Sequence, residues 1–120
     1  MRIPRGEHGH FVTAGRINNR YVEFMVDTGA SSIALNSQMA EQLGINYRQG
    51  PQVLVETANG RVVAHRVMLS SVAVGDLTMS HVSAFVMEGH HPQVILLGNS
   101  YLGRVNVTMN NVELVLTSKY

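Results

Sequence analysis

The strongest constraint on the fold of this chain is a repeated alternation of apolar and polar residues that is interrupted by turn residues. Residues 21–26 place Val22, Phe24 and Val26 on one face, as in a half-buried strand. Asn59-Gly60 joins two such segments, 53–57 and 62–67, and predicts a hairpin. Further strands are expected at 72–74, 77–79, 82–86, 94–97, 105–108 and 112–116, with turns at 18–19, 75–76 and 110–111. This regular spacing of turn residues between short strands favours a small all-β barrel or sandwich.

One segment departs from the alternation and predicts a short helix. Residues 36–44 begin with the cap-type residue Asn36, continue with helix-forming residues and end at Gly44. A second helical turn is expected after Gly98, over residues 99–102. The predicted architecture is therefore all-β with one or two short helices.

Length and composition narrow the function classes. The 120 residues suit a single domain, and 45% hydrophobic residues can form a buried core. A net charge of +1 gives no support for nucleic-acid binding. The chain has no Cys, which excludes disulfides, thiolate metal sites and a Cys nucleophile. No apolar run of about 18 residues is present, so neither a membrane span nor membrane contact is expected from this chain.

The segment most suggestive of chemistry is Asp27-Thr28-Gly29-Ala30, which follows the apolar end of a strand. The strand would deliver the Asp27 carboxylate to the edge of the core, and Gly29 would allow a sharp turn. A carboxylate at such a place must be solvated, hydrogen-bonded, paired or protonated. For the tripeptide taken alone, the favoured interpretation is a structural barrel in which Asp27 only caps a turn.

Several motifs together resemble the retropepsin-like aspartic proteases, of the single-domain bacterial kind. The segments that carry the resemblance are 26–30, Ala40-Glu41-Gln42-Leu43-Gly44, Thr57-Ala58-Asn59-Gly60 and Leu96-Leu97-Gly98-Asn99-Ser100-Tyr101-Leu102. The resemblance covers about residues 9–118 and implies a closed β-barrel. On this basis we expect an N-terminal tail over residues 1–8 and a protease domain over residues 9–120.

The resemblance implies an aspartic endopeptidase acting on extended polypeptide segments. Two carboxylates that share one proton can activate water and polarise the scissile carbonyl. Asp occurs only at Asp27 and Asp76, and Asp76 follows Gly75 in an expected turn. We therefore expect a C2 homodimer in which Asp27 is catalytic in both chains. By resemblance, Thr28, Gly29 and Ala30 form the active-site loop.

The resemblance also assigns a flap and a substrate pocket. The flap tip would consist of Thr57, Ala58, Asn59 and Gly60, and the pocket would include Met25, Ile33 and Leu97. A polypeptide substrate would bind between the flap and the active-site floor by strand addition. Residues 112–116 suit a dimer-interface strand or a barrel strand, and the barrel strand is the favoured interpretation.

Two alternatives to an active protease are left open by the sequence. One is a peptide-binding dimer of the same fold that cleaves rarely or not at all, and the other is the structural barrel. A metal site built on His8 and His10, or on His90 and His91, is disfavoured because no Cys supports it, so no cofactor is expected. The sequence leaves the location open: periplasmic or membrane-anchored if a further segment precedes residue 1, and cytoplasmic otherwise.

Overall fold

The computed structural model describes residues 1–57 and 60–119. Over these residues the chain forms ten strands, two short α-helices and one 3-10 turn at Glu7–Gly9. The strands are β1 (Arg2–Pro4), β2 (Val12–Ile17), β3 (Arg20–Val26), β4 (Ile33–Asn36), β5 (Gln52–Thr57), β6 (Gly60–Val74), β7 (Leu77–Met87), β8 (Ile95–Leu97), β9 (Val105–Met109) and β10 (Glu113–Ser118). The helices are α1 (Ser37–Gln42) and α2 (Asn99–Leu102).

Six of the strands form a closed barrel. Their order is β2-β3-β8-β4-β7-β6, and β6 pairs back to β2 through Arg16↔Ala73 and Ile17↔Val72. β5 lies outside this ring and pairs with β6 as the outer strand of a hairpin. The barrel and the short helices confirm the predicted all-β architecture.

The barrel closes at a glycine. Gly15 in β2 is so close to its neighbours that a Cβ atom would lie 2.6 Å from the carbonyl oxygen of Ala73 and 2.6 Å from the ring of Phe24. A residue with a side chain would push β2 away from β6 or displace the core ring. Close approach of the two backbones is therefore what allows the ring of strands to close.

The alternation of apolar and polar residues places one face of each strand against the core. In β3, Val22 and Phe24 are buried while Tyr21 is 71% exposed. Fully buried side chains from many elements meet them there, among them Ile17, Ile33, Leu35, Leu69, Leu97, Tyr101, Leu114 and Leu116. Burial of apolar area of this kind is the main stabilising contribution to a small domain.

The predicted helix and tight turn are both confirmed. Asn36 caps α1, because its side-chain oxygen accepts a hydrogen bond of 2.8 Å from the backbone N–H of Met39. Gly44 has a positive φ of 70° just beyond the helix, where glycine is favoured. Asn18 and Asn19, with φ of 51° and 67°, form the turn between β2 and β3.

Three expectations about the strands need correction. Residues 62–67 and 72–74 belong to the single strand β6, and 77–79 and 82–86 belong to β7, since β6 and β7 pair with each other on both sides of Ser70 and His81, where the register omits one pair. Residues 113–116 lie in β10, which pairs with β1 and β9 in a separate three-stranded sheet and not in the barrel. Residues 2–4, within the expected N-terminal tail, form β1, which pairs with β10, and Ile3 is 1% exposed.

Tyr101 is a core residue whose hydroxyl group is hydrogen-bonded to a backbone carbonyl oxygen. Its hydroxyl donates a 2.6 Å hydrogen bond to the Leu77 carbonyl oxygen, and its side chain is fully buried. Burial raises the pKa of Tyr101 from 10.0 to about 12, against a smaller lowering effect of a backbone hydrogen bond at Val74. The folded state therefore resists ionisation of this phenol at a pH where the unfolded chain ionises.

This linkage predicts an alkaline loss of stability that depends on Tyr101. In the wild type, its contribution is fully present below pH 10.0 and is lost as pH rises toward about 12. Tyr101→Phe should lower the free energy of unfolding by about 1 kcal/mol at neutral pH and should show a weaker alkaline loss. Urea titrations at several pH values measure both effects. An alkaline loss of equal size in both proteins would contradict the prediction.

Candidate functional site

The predicted catalytic residue lies where two parallel strands end side by side. β3 and β8 pair in parallel, with Val26 opposite Leu97. Asp27 follows β3 directly, and its backbone N–H donates a 3.1 Å hydrogen bond to the Leu97 carbonyl oxygen. The Asp27 side chain is half-buried at this edge of the barrel. The carboxylate is therefore held at the end of a rigid strand pair, with access to solvent.

The turn after Asp27 is organised by the aspartate itself. The Gly29 N–H donates a 2.9 Å hydrogen bond to Asp27 Oδ1, and the Ala30 N–H donates one of 3.2 Å to the Asp27 carbonyl oxygen. Thr28 and Gly29 are exposed, whereas Ala30 is half-buried. This is the compact turn expected of an Asp-Thr-Gly segment, and it directs Thr28 and Gly29 outward.

The segment after β8 clamps this turn from the other side. The backbone N–H of Asn99 donates a 2.8 Å hydrogen bond to the Ala30 carbonyl oxygen. The Asn99 side-chain amide donates a 2.9 Å hydrogen bond to the Thr28 carbonyl oxygen. Ser100 Oγ accepts a 3.1 Å hydrogen bond from the Ile33 N–H and donates one of 2.7 Å to the Ser83 carbonyl oxygen. The Asp27 turn is thus fixed across 71 residues of sequence.

Asn99 and Ser100 lie in the motif at residues 96–102, but the local sequence pattern indicates no role for either residue. The signal that could have identified Asn99 is its position directly after an apolar strand and Gly98, where an amide can reach a neighbouring turn. The pairing of β3 with β8 was needed to show which turn it reaches.

We predict that the hydrogen bond from the Asn99 side chain to the Thr28 carbonyl oxygen contributes measurably to stability. Asn99→Ala should lower the free energy of unfolding by about 1 kcal/mol, because the Thr28 carbonyl loses a hydrogen bond. It should also speed amide hydrogen exchange at Gly29. Asn106→Ala is the matched control, since Asn106 is likewise exposed and donates to a carbonyl group, that of Ser118. Equal effects of the two substitutions on unfolding in urea would contradict a specific role of Asn99.

The residues proposed for a substrate pocket differ in accessibility. Ile33 and Leu97 are fully buried in the core, so their side chains do not line an open surface of this chain. Met25 is half-buried in β3. The structure therefore brings Leu97 next to Asp27 through the backbone, and of the three pocket side chains only Met25 is partly accessible.

The predicted flap corresponds to the β5–β6 hairpin. Its pairing runs from Gln52↔His65 to Thr57↔Gly60. Ala58 and Asn59, two of the four residues assigned to the flap tip, lie outside the described residues. Gly60 has a positive φ of 102°, which suits glycine in a tight turn.

Asp76 occupies the turn between β6 and β7, as its position after Gly75 predicts. It is exposed and follows Gly75, whose φ is 58°. Together with Met1 and Leu116 it lines a surface cavity that includes no residue of the Asp27 turn. Within one chain, Asp27 and Asp76 thus belong to different sites.

The candidate histidines do not assemble into a metal site. Across residues 1–57 and 60–119, no three His, Asp or Glu side chains lie close enough together to hold a metal ion. In the same residues, no helix has both the length and the apolar character needed to cross a membrane.

The fold and the Asp27 turn together define a retropepsin-like protease domain. The family model described as "gag-polyprotein putative aspartyl protease" matches residues 13–104. The chain belongs to this aspartyl protease family. Its barrel superimposes on a retropepsin-like aspartic protease from Rickettsia conorii with a TM-score of 0.84 and 32% identity, covering 98% of this chain and 89% of that one.

One further solved structure shares the fold, and two curated proteins are similar in sequence. The retroviral protease-like domain of Ddi1 from Leishmania major shares the fold, with a TM-score of 0.59 and 20% identity over 90% of this chain and 94% of that domain. Two uncharacterized proteins, one from the cobV 5' region of Sinorhizobium sp. and RP867 of Rickettsia prowazekii, are 36% and 37% identical over 83% and 85% of this chain. The chain spans only 43% and 44% of the length of these two relatives.

Proposed function

We propose that this chain is an aspartic endopeptidase that hydrolyses peptide bonds in extended polypeptide segments, with an active site formed by Asp27 from two chains of a homodimer. The observation that carries the proposal is the Asp27 turn. Its carboxylate lies at the end of the β3–β8 pair, Thr28 and Gly29 face outward, and Asn99 fixes the turn. Membership in the aspartyl protease family supports the same chemistry.

The proposed mechanism needs two carboxylates in contact. When two such groups lie roughly 3 Å apart, they cannot both ionise easily, and the pair holds one proton over a broad pH range. The ionised member accepts a proton from the attacking water, while the protonated member polarises the scissile carbonyl. The two aspartates would exchange roles between the attack of water and the departure of the amine.

A second chain is proposed because one chain offers one suitable carboxylate. Residues 27–33 and 97–100, which build the turn and its clamp, contain no acidic residue besides Asp27. Asp76 lies at a separate turn. A C2 arrangement would bring two copies of the exposed turn together, and Thr28 and Gly29 would then contact their counterparts.

Substrate recognition is proposed to use the β5–β6 hairpin and the turn as two sides of one cleft. β5 is an outer strand with β6 on one side, and Leu54 in it is 67% exposed. An extended peptide held between such elements presents backbone groups for pairing and alternate side chains for pockets. The proposed extent of this protease domain is residues 9–120, and β1, at residues 2–4, pairs with β10 of the domain.

The test is hydrolysis of an unfolded polypeptide by the purified wild type and by Asp27→Asn, from about pH 3 to about pH 8. Fragments that appear with the wild type, disappear with Asp27→Asn and are suppressed by a pepstatin-type inhibitor would support the proposal. The molecular mass in solution, measured in the same buffers, reports the dimer. A dimer that binds the polypeptide without cleaving it would contradict turnover and favour a peptide-binding protein.

A further inference from the structure

A buried histidine lies at the root of the β5–β6 hairpin and has no part in the proposed catalysis. His65 is 3% exposed, although the strand that carries it continues into the exposed hairpin. Its register partners are Gln52 in β5 and Val86 in β7. His65 therefore lies where β6 passes from the barrel wall into the hairpin.

The imidazole ring connects three segments of the chain. Its Nε2 lies 2.6 Å from Oε2 of Glu88, the residue directly after β7. Its ring meets the ring of Tyr47 edge-on at a centroid distance of 5.3 Å, and Tyr47 lies in the connection between α1 and β5. The hairpin root is thus attached through one side chain to the end of β7 and to the α1–β5 connection.

The charged groups around His65 leave Glu88 as its direct partner. Behind Tyr47, the Glu41 carboxylate accepts hydrogen bonds of 3.2 Å from the Tyr47 hydroxyl and 2.7 Å from Arg48. Arg48 also lies over the Tyr47 ring at 4.8 Å. An open cavity of about 510 Å³ borders this group and is lined by Tyr47, Arg48, His65 and Glu88, among others. Glu41 and Arg48 thus satisfy each other, and the Glu88 carboxylate is bonded to the imidazole.

The buried position of His65 Nδ1 restricts the charge state of the imidazole ring. Nδ1 is buried and has no hydrogen-bond partner among the described residues. A neutral ring with its proton on Nε2 donates to Glu88 and leaves only an unpaired acceptor at Nδ1. A protonated ring would place an unpaired N–H in the interior, and this charged form is tolerable only while the Glu88 carboxylate balances it.

We propose that His65 and Glu88 are positioning residues that hold the root of the hairpin, and that protonation of Glu88 in acid releases it. Loss of the Glu88 charge would leave a protonated imidazole without a counter-charge. A buried cation without a counter-charge is strongly unfavourable, so the local structure opens. The role of this opening in admitting substrate rests on the proposed function, whereas the opening itself does not.

The experiment is hydrogen exchange of the β5 and β6 amides, measured in an Asp27→Asn background that cannot digest itself. Rates are divided by the intrinsic exchange rate at each pH, from about pH 7 down to about pH 3.5. At about pH 7, Glu88→Ala should speed exchange in the hairpin about tenfold, as expected for loss of a hydrogen bond to a charged group. The parent should reach a similar rate only at acidic pH.

Glu88→Gln separates the hydrogen bond from the charge. It keeps an acceptor for Nε2, so hairpin exchange at about pH 7 should stay close to that of the parent. Because its amide cannot balance an imidazolium, hairpin release should move to higher pH. Glu56→Gln is the matched control, since Glu56 forms an exposed 2.8 Å ion pair with Arg61 within the same hairpin. This control should change neither the rates nor the release pH.

Three results would overturn the inference. These are hairpin exchange in Glu88→Ala no faster than in Glu56→Gln, equal acceleration in β9 and β10, and a release pH in Glu88→Gln equal to that of the parent. Because exchange requires no peptide hydrolysis, a failure here is distinguishable from a failure of the proposed protease activity. An inactive protein with a pH-sensitive hairpin would still support the positioning role.

Discussion

An equimolar mixture of wild-type and Asp27→Asn chains, allowed to exchange subunits, is expected to retain about one quarter of the hydrolytic activity of the same total amount of wild type. Random pairing makes about one quarter of the dimers fully wild type, and a shared carboxylate pair is complete only in those dimers. A monomeric enzyme with a self-sufficient site would retain about one half. The measurement is the initial rate of cleavage of an unfolded polypeptide.

Asp27→Asn alone is expected to lower kcat by about 10³-fold or more. The amide has the size of the carboxylate but cannot accept the proton of the attacking water, and general acid–base catalysis of this kind accounts for rate factors of that order. The amide oxygen can still accept the Gly29 hydrogen bond, so the turn and the stability should be preserved. Circular dichroism and urea unfolding check that the loss of rate is chemical.

Asp76→Asn is the matched control for both measurements, since it removes the other aspartate of the chain. It should leave the rate near that of the wild type, alone and in mixtures. Loss of activity in Asp76→Asn, or a mixture with Asp27→Asn that keeps one half of the activity, would contradict the proposed dimeric site.

Gly98→Ala is expected to have the largest effect on stability. A Cβ atom at this position would lie 2.2 Å from the Ser32 carbonyl oxygen and 2.9 Å from that of Ala30. Both atoms belong to the backbone of the loop that follows Asp27, so a small side-chain movement cannot relieve the contact. We expect a loss of about 3 kcal/mol in the free energy of unfolding, and roughly 10 °C in Tm, as the loop is pushed off β8.

The comparison for Gly98→Ala is Gly6→Ala. Gly6 is exposed, and a Cβ atom there would lie 3.2 Å from the nearest neighbour, the His10 carbonyl oxygen, so a small shift suffices. Calorimetry of both variants measures the difference in Tm. A Gly98→Ala protein as stable as Gly6→Ala would show that the Asp27 loop is free to move away from β8.

Local sequence signals predicted the elements well where neighbouring residues determine them. The cap at Asn36, the glycine at Gly44 and the Asn18-Asn19 turn act within a few residues, and the structure confirms all three. Strand lengths were predicted less well. β6 continues through residues 60–74, because two different partners, β5 and β7, pair with its successive parts. A change of the strand with which β6 pairs does not alter the alternation of apolar and polar residues along it.

The sequence alone determined the all-β class, the short helices and the position of Asp27 in a turn after an apolar strand, since these depend on residue type and spacing along the chain. The tertiary structure decided what surrounds that turn. Asn99 reaches Thr28 only because β3 pairs in parallel with β8, and His65 reaches Glu88 only because β6 pairs with β7. The physical reason is that such contacts depend on which strands become neighbours when the barrel closes, and periodicity along the chain does not specify those neighbours.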